Sequence, residues 1–183
     1  MKRSCVFLAA LILFGTSFAA AQPVPGKKFE FSTAVSLFSV KYDGIDVSYS
    51  YLSVPFRFGW FAWKGLEIEP EVCVTFPLSG DGDTSYFLLA NIVYNFRTSG
   101  NWVPFAGAGA GVGNGIALAG VVQGGSGTDA SVFDALLGVK FLIGGVGALR
   151  LEYRYNRYSW DFFDGKPEDG NLHQVLMGLA IFF

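Results

Sequence analysis

Three glutamates stand at alternate positions, Glu67, Glu69 and Glu71, and a second alternating set reads Arg150, Glu152, Arg154. Arg57, Asp134 and Lys140 are similarly set among apolar residues. A spacing of two puts such side chains on one face of an extended strand. Carboxylates and guanidiniums gathered on one face can line an ion path, supply a catalytic carboxylate pair, or neutralise one another as the filling of a closed interior. Other combinations point to less. Ser159 and the lone His173 could share one loop as nucleophile and base, but no third group orients them. Gly107, Gly109, Gly111 and Gly113 keep strict period two, which a phosphate-cradling fingerprint does not. They read instead as the small face of a strand, leaving room for bulky neighbours. Asp81-Gly82-Asp83 lacks the further ligands of a calcium loop. The acids of the last loop, Asp161, Asp164, Glu168 and Asp169, read as solvated. Cys73 reads as a small inward side chain.

The elements that must carry these residues are strands. Period-2 alternation recurs over 28–40, 49–61, 66–76, 85–96, 102–113, 130–142, 148–158 and 172–183. One face of each segment is large and apolar. The other carries Glu30, Arg57, the three glutamates, Asn91, Asn95, Asp134, Lys140, the Arg150 set and Gln174. Each segment has about the length a tilted strand needs to cross a bilayer. Connections over 61–65, 97–101 and 142–146 are short, while those over 41–48, 77–84, 114–129 and 159–171 are longer. Trp60, Phe61, Trp63, Phe96, Trp102, Phe182 and Phe183 gather at the short-turn rim. Tyr49, Tyr51, Phe76, Tyr86, Tyr155, Tyr158 and Trp160 gather toward the other rim, and two such belts suit two membrane interfaces. The expected fold is all-β: an eight-stranded antiparallel up-and-down transmembrane β-barrel. Its bore is only wide enough for side chains, so the charges read as structural fill. Pairing Trp60 with Leu66 would set Arg57 across from Glu69, and pairing Phe141 with Gly147 would set Asp134 across from Arg154. Pro55, Pro70 and Pro104 each remove a ladder donor and predict local irregularity.

Composition agrees. The chain of 183 residues is 51% hydrophobic and 17% aromatic. After the N-terminus no apolar run reaches the length of a spanning helix. Lys2 and Arg3, the apolar run over 6–14 and Ala19-Ala20-Ala21 form a secretory signal over 1–21, too short for a membrane anchor. Residues 22–183 are then the barrel domain. Of 13 basic and 15 acidic residues, Lys2 and Arg3 leave with the signal, which argues against a nucleic-acid partner. Cys5 leaves too, so Cys73 has no intrachain partner. No cofactor and no metal site is expected.

The ending Met177-Gly178-Leu179-Ala180-Ile181-Phe182-Phe183 looks like the C-terminal assembly signal of outer-membrane barrels, with Phe183 as its terminal aromatic. With the stretches over 65–74, 103–113 and 148–155, the chain resembles the small outer-membrane β-barrel domain family, related to the OmpA/OmpX and opacity proteins. That resemblance implies a bacterial outer-membrane location. It also implies contact with outer-membrane lipid, lipopolysaccharide and the barrel assembly machinery. It implies no single activity, since the fold hosts adhesins, linkers and lipid-modifying enzymes. The expectation is a non-enzymatic scaffold. Its exposed loops, with Tyr42, Tyr158, Trp160, Phe162 and Phe163, would contact a surface partner. A lipid-modifying enzyme or a narrow pore is the alternative.

Overall fold

The computed structural model describes residues 24, 26–41, 48–79, 84–96, 98–114, 129–161 and 167–183. Eight strands follow in order: β1 (Phe29–Lys41), β2 (Ser48–Trp63), β3 (Leu66–Pro77), β4 (Ser85–Asn95), β5 (Trp102–Asn114), β6 (Asp129–Ile143), β7 (Gly147–Asp161) and β8 (Pro167–Phe182). Each pairs antiparallel with its sequence neighbours, and β8 pairs with β1, closing an up-and-down barrel. Phe183 seals the join at the short-turn end. Its carbonyl accepts from the amides of Lys28 and Phe29, and its amide donates to the carbonyl of Phe29.

Both expected registers are off by two residues. Arg57 lies across from Glu71, not Glu69, and Asp134 across from Asn156, not Arg154. The cause is turn length. Only Lys64 and Gly65 separate β2 from β3, and only 144–146 separate β6 from β7. A shift of two leaves every side chain on its expected face, because the pleat has period two.

The last connection is also shorter than expected. Most of 159–171 is strand, with Ser159 across from Asp169 and Asp161 across from Pro167. Tyr42, Asp81, Gly82, Asp83, Phe162, Phe163, Asp164 and the expected signal over 1–21 lie outside the described residues, as do the side chains of Tyr49, Trp160, Asp161, Glu168 and Asp169.

The prolines account for specific breaks. A proline cannot donate to one of its two neighbours. The β1–β2 ladder skips from Thr33↔Phe56 to Ser36↔Ser53, beside Pro55. The β2–β3 ladder skips from Arg57↔Glu71 to Trp60↔Ile68, beside Pro70. The β4–β5 ladder ends at Asn95↔Phe105, one residue short of Pro104.

The turn after β2 needs left-handed backbone at both positions, with φ of 32° at Lys64 and 90° at Gly65. Two-residue hairpins favour Asn-Gly there, and the left-handed region is strained for lysine. Lys64→Asn therefore stabilises the barrel by about 1 kcal/mol. A higher urea midpoint of the protein refolded in lipid vesicles is the check.

Candidate functional site: the ionic interior

The barrel is inverted relative to a water-soluble fold. Large apolar side chains cover its outside: Leu37 is 71% exposed, Ile92 62% and Val175 64%. The charged residues are inside, with Arg57 1% and Glu69 0% exposed. Glu30, Glu67, Glu71, Asn91, Asn95, Asp134, Lys140, Arg150, Glu152, Arg154 and Gln174 are buried with them.

These side chains form one column along the bore. Near the short-turn end the Lys140 ammonium meets Glu30 at 2.5 Å and Glu67 at 3.0 Å, and Asn95 Nδ2 donates to Glu67 Oε2 at 2.9 Å. Next, Arg150 reaches Glu69 at 2.5 Å and Glu152 at 2.8 Å, with Glu30 at 3.5 Å. Arg57 bridges Glu71 at 2.8 Å and Glu152 at 3.2 Å, and lies 3.8 Å from Glu69. Toward the long-loop end, Arg154 holds Glu71 at 2.7 Å, Glu152 at 2.9 Å and Asp134 at 3.3 Å. Glu152 is the hub, shared by three arginines. Buried charges persist when paired in this way.

Strands far apart in sequence meet here because each contributes alternate side chains to one narrow lumen. Glycines make the room. A Cβ at Gly59 would lie 1.8 Å from Glu67 Oε1, and one at Gly109 would lie 1.9 Å from Asn91 Oδ1. The glycine face of β5 thus receives side chains from its neighbours.

Glu30, Glu67 and Glu69 bring carboxylate oxygens within 4.8 Å of one another, close enough for a cation. The positive charge there is already supplied by Lys140 and Arg150. The column is therefore ionic filling without an obvious reacting pair.

Two apolar layers cap it. At the short-turn end Phe61 and Phe182 face each other at 6.3 Å, with Val24, Ala148 and Ala180 around them. At the other end Phe87, Leu89, Ala130, Val132 and Tyr158 form a second cluster, with Cys73 and Leu172 against it. Phe61, Phe182, Tyr51 and Tyr158 therefore belong to the interior, not to the aromatic belts where the sequence reading put them. They occupy inward parity positions, and parity outranks residue type. Trp60, Trp63, Trp102, Phe183, Phe76 and Tyr86 do face outward.

His173 faces outward too. Its Nδ1 lies 2.6 Å from the Tyr153 hydroxyl, and its ring 5.1 Å from that of Tyr155. Its cross-strand partner is Tyr155, four positions along β7 from Ser159. That is about 13 Å of strand, so the two do not form a nucleophile–base pair.

No protein-family model matches the chain, and no curated protein does. Among solved structures the chain is similar to Neisserial surface protein A. The TM-score is 0.63 at 18% identity, over 85% of this chain and 96% of that one. The outer membrane protein OprG from Pseudomonas aeruginosa gives a TM-score of 0.45 at 14% identity, over 87% and 97%. The first likeness is one of fold.

Proposed function

We propose that the chain is a non-enzymatic integral protein of the bacterial outer membrane, a rigid barrel that presents its loops at the cell surface. The inversion carries this reading: a greasy belt encircles a wall whose backbone groups are largely paired, and the ionic groups are sealed within. In hydrocarbon only a helix or a closed barrel satisfies the backbone. Among the described residues no helix is long and apolar enough to cross a membrane, whereas eight strands of 11 to 16 residues do have the length.

The fold shared with a protein named for its surface location supports the same placement. The assembly machinery reads β8 and the Phe183 that follows it, locked to β1 by backbone hydrogen bonds. Outer-membrane lipid and lipopolysaccharide are its surroundings, and a surface ligand meets the loops. The separation of His173 from Ser159 speaks against acyl-transfer chemistry, and the filled bore speaks against a pore.

The test is migration of the protein, expressed from its full sequence, in outer-membrane fractions. Unboiled protein runs as a compact, detergent-resistant band that shifts on boiling. Recovery from the soluble periplasmic fraction as a monomer defeats the proposal. Planar bilayers containing the folded protein show no steady single-channel current. A large steady current would restore the pore reading.

A further inference from the structure

The charges outside the bore are divided between its two ends. The connections at the short-turn end and the approach to β1, over 22–28, 61–65, 97–101 and 142–146, hold Lys27, Lys28, Lys64 and Arg97 and no acidic residue. The longer connections, over 41–48, 77–84, 114–129 and 159–171, hold nine acidic residues and two basic ones. One rim is therefore basic and the other acidic.

Three of the basic residues, Lys27, Lys28 and Lys64, are among the described residues and come from adjoining stretches of chain. Before β1 the chain folds across the end of the bore. Val24 is buried in the cluster of Phe61 and Phe182, and its carbonyl accepts from the Lys27 amide at 3.2 Å. The Lys28 carbonyl accepts from the Phe61 amide at 2.9 Å, which sets Lys27 and Lys28 beside the end of β2. Lys64 follows in the turn to β3, and both Lys28 and Lys64 are exposed. The β2–β3 ladder shifts register between Phe61 and Trp63. That irregularity turns Trp63 outward, which strict alternation from Trp60 would not, and Trp63 is 67% exposed. The Lys64 ammonium lies 5.5 Å from the centre of the Trp63 ring, within reach of a cation–π contact. Lys64 also keeps a left-handed backbone that asparagine would take with less strain. Such strain gathers at positions whose side chains have a task.

Trp60, Trp63 and Trp102 are exposed at this rim, and tryptophan settles at the headgroup level of a bilayer. An ammonium laid over Trp63 stands at that same level, among the lipid phosphates. We infer that Lys27, Lys28, Lys64 and Trp63 form a docking surface for the phosphodiester headgroup of an anionic glycerophospholipid in the periplasmic leaflet. The lysines supply the opposite charge, and the Trp63 ring lies at the boundary between headgroup and acyl chain. The inference rests on the membrane placement proposed above, with the short turns on the periplasmic side.

The folded protein is placed in phosphatidylcholine vesicles that carry a minor fraction of brominated phosphatidylglycerol or of brominated phosphatidylcholine, and quenching of its tryptophan fluorescence is read. Phosphatidylglycerol quenches at a lower mole fraction, by about fivefold for each lysine engaged, and Trp63→Phe removes the excess. Lys27→Gln, Lys28→Gln and Lys64→Gln together make the two lipids equal. Equal quenching of the unaltered protein by both lipids overturns the inference, and so does a preference that survives the three substitutions. Displacement of the brominated phosphatidylglycerol by soluble muropeptide, whose carboxylates are the other anions facing this rim, assigns the surface to the cell wall and overturns it too. The urea midpoint gives an independent reading. Lys64→Asn gains stability in phosphatidylcholine and loses that gain in vesicles rich in phosphatidylglycerol, whereas an equal gain in both overturns the docking role of Lys64. The same vesicles are scored for the heat-modifiable band. Its absence from the unaltered protein removes the membrane placement itself, whereas its presence without a lipid preference removes only the docking surface.

Discussion

Arg150→Met abolishes the compact, heat-modifiable form of the barrel. The Arg150 guanidinium contacts Glu69, Glu152 and Glu30 and lies 4.6 Å above the centre of the Phe105 ring. Without it, Glu69 retains, among the described residues, an ion pair with Arg57 alone, at 3.8 Å, and Glu152 loses one of its three arginines. Breaking a buried ion pair by removing one partner costs about 3–5 kcal/mol, because the other charge stays buried and uncompensated. That is a large share of the roughly 5–15 kcal/mol that holds a typical domain together. The effect comes from the stranded charge, not from lost packing, since methionine fills similar space. Adding Glu69→Gln to Arg150→Met therefore restores the compact band and recovers most of the lost urea resistance. If the double variant is no more stable than the single one, the column is not held by charge pairing.

The identity of this column was legible in the sequence, because parity along a strand decides which face a residue occupies. Glu67, Glu69 and Glu71 all turn inward, and so do Arg150, Glu152 and Arg154. Which of them touch was not legible. Contact across a barrel depends on register and stagger, and two-residue and three-residue turns moved both registers by two. Arg57 thereby gained Glu71 as its direct partner, while Asp134 still reaches Arg154 diagonally at 3.3 Å. The aromatic belts failed for a related reason. Position near a rim was read correctly, but Phe61, Tyr158 and Phe182 sit at inward parity and became the two apolar caps. The short pairing of β1 with β8 left no sequence signal at all. β1 and β8 alternate as regularly as the others, and nothing in their composition announces that pairing stops above Val35 and Met177. Closure is a property of the whole circumference, which a local pattern cannot report.

That uneven closure singles out one glycine. Gly178 lies across from Ala34 among the six residue pairs that close the barrel. A Cβ built there would stand 2.1 Å from the carbonyl oxygen of Thr33 and 2.6 Å from the Ala34 Cβ. Neither atom is the free end of a flexible side chain, so β1 itself has to move. Overpacking a well-filled site costs about 1–3 kcal/mol where neighbours can adjust, and here the adjustment breaks ladder bonds at the short closing seam. Gly178→Val is expected to leave the chain unfolded or open, running on gels at its boiled mobility and sensitive to protease in vesicles. Gly145→Ala supplies the contrast. Its φ of 72° strains any side chain, yet nothing lies within 4 Å of the added carbon. It costs only about 1–2 kcal/mol of backbone strain, and the heat-modifiable band survives. Should Gly178→Val fold as well as Gly145→Ala, closure does not depend on the close approach of β1 and β8, and the short seam is not the weak point of the wall.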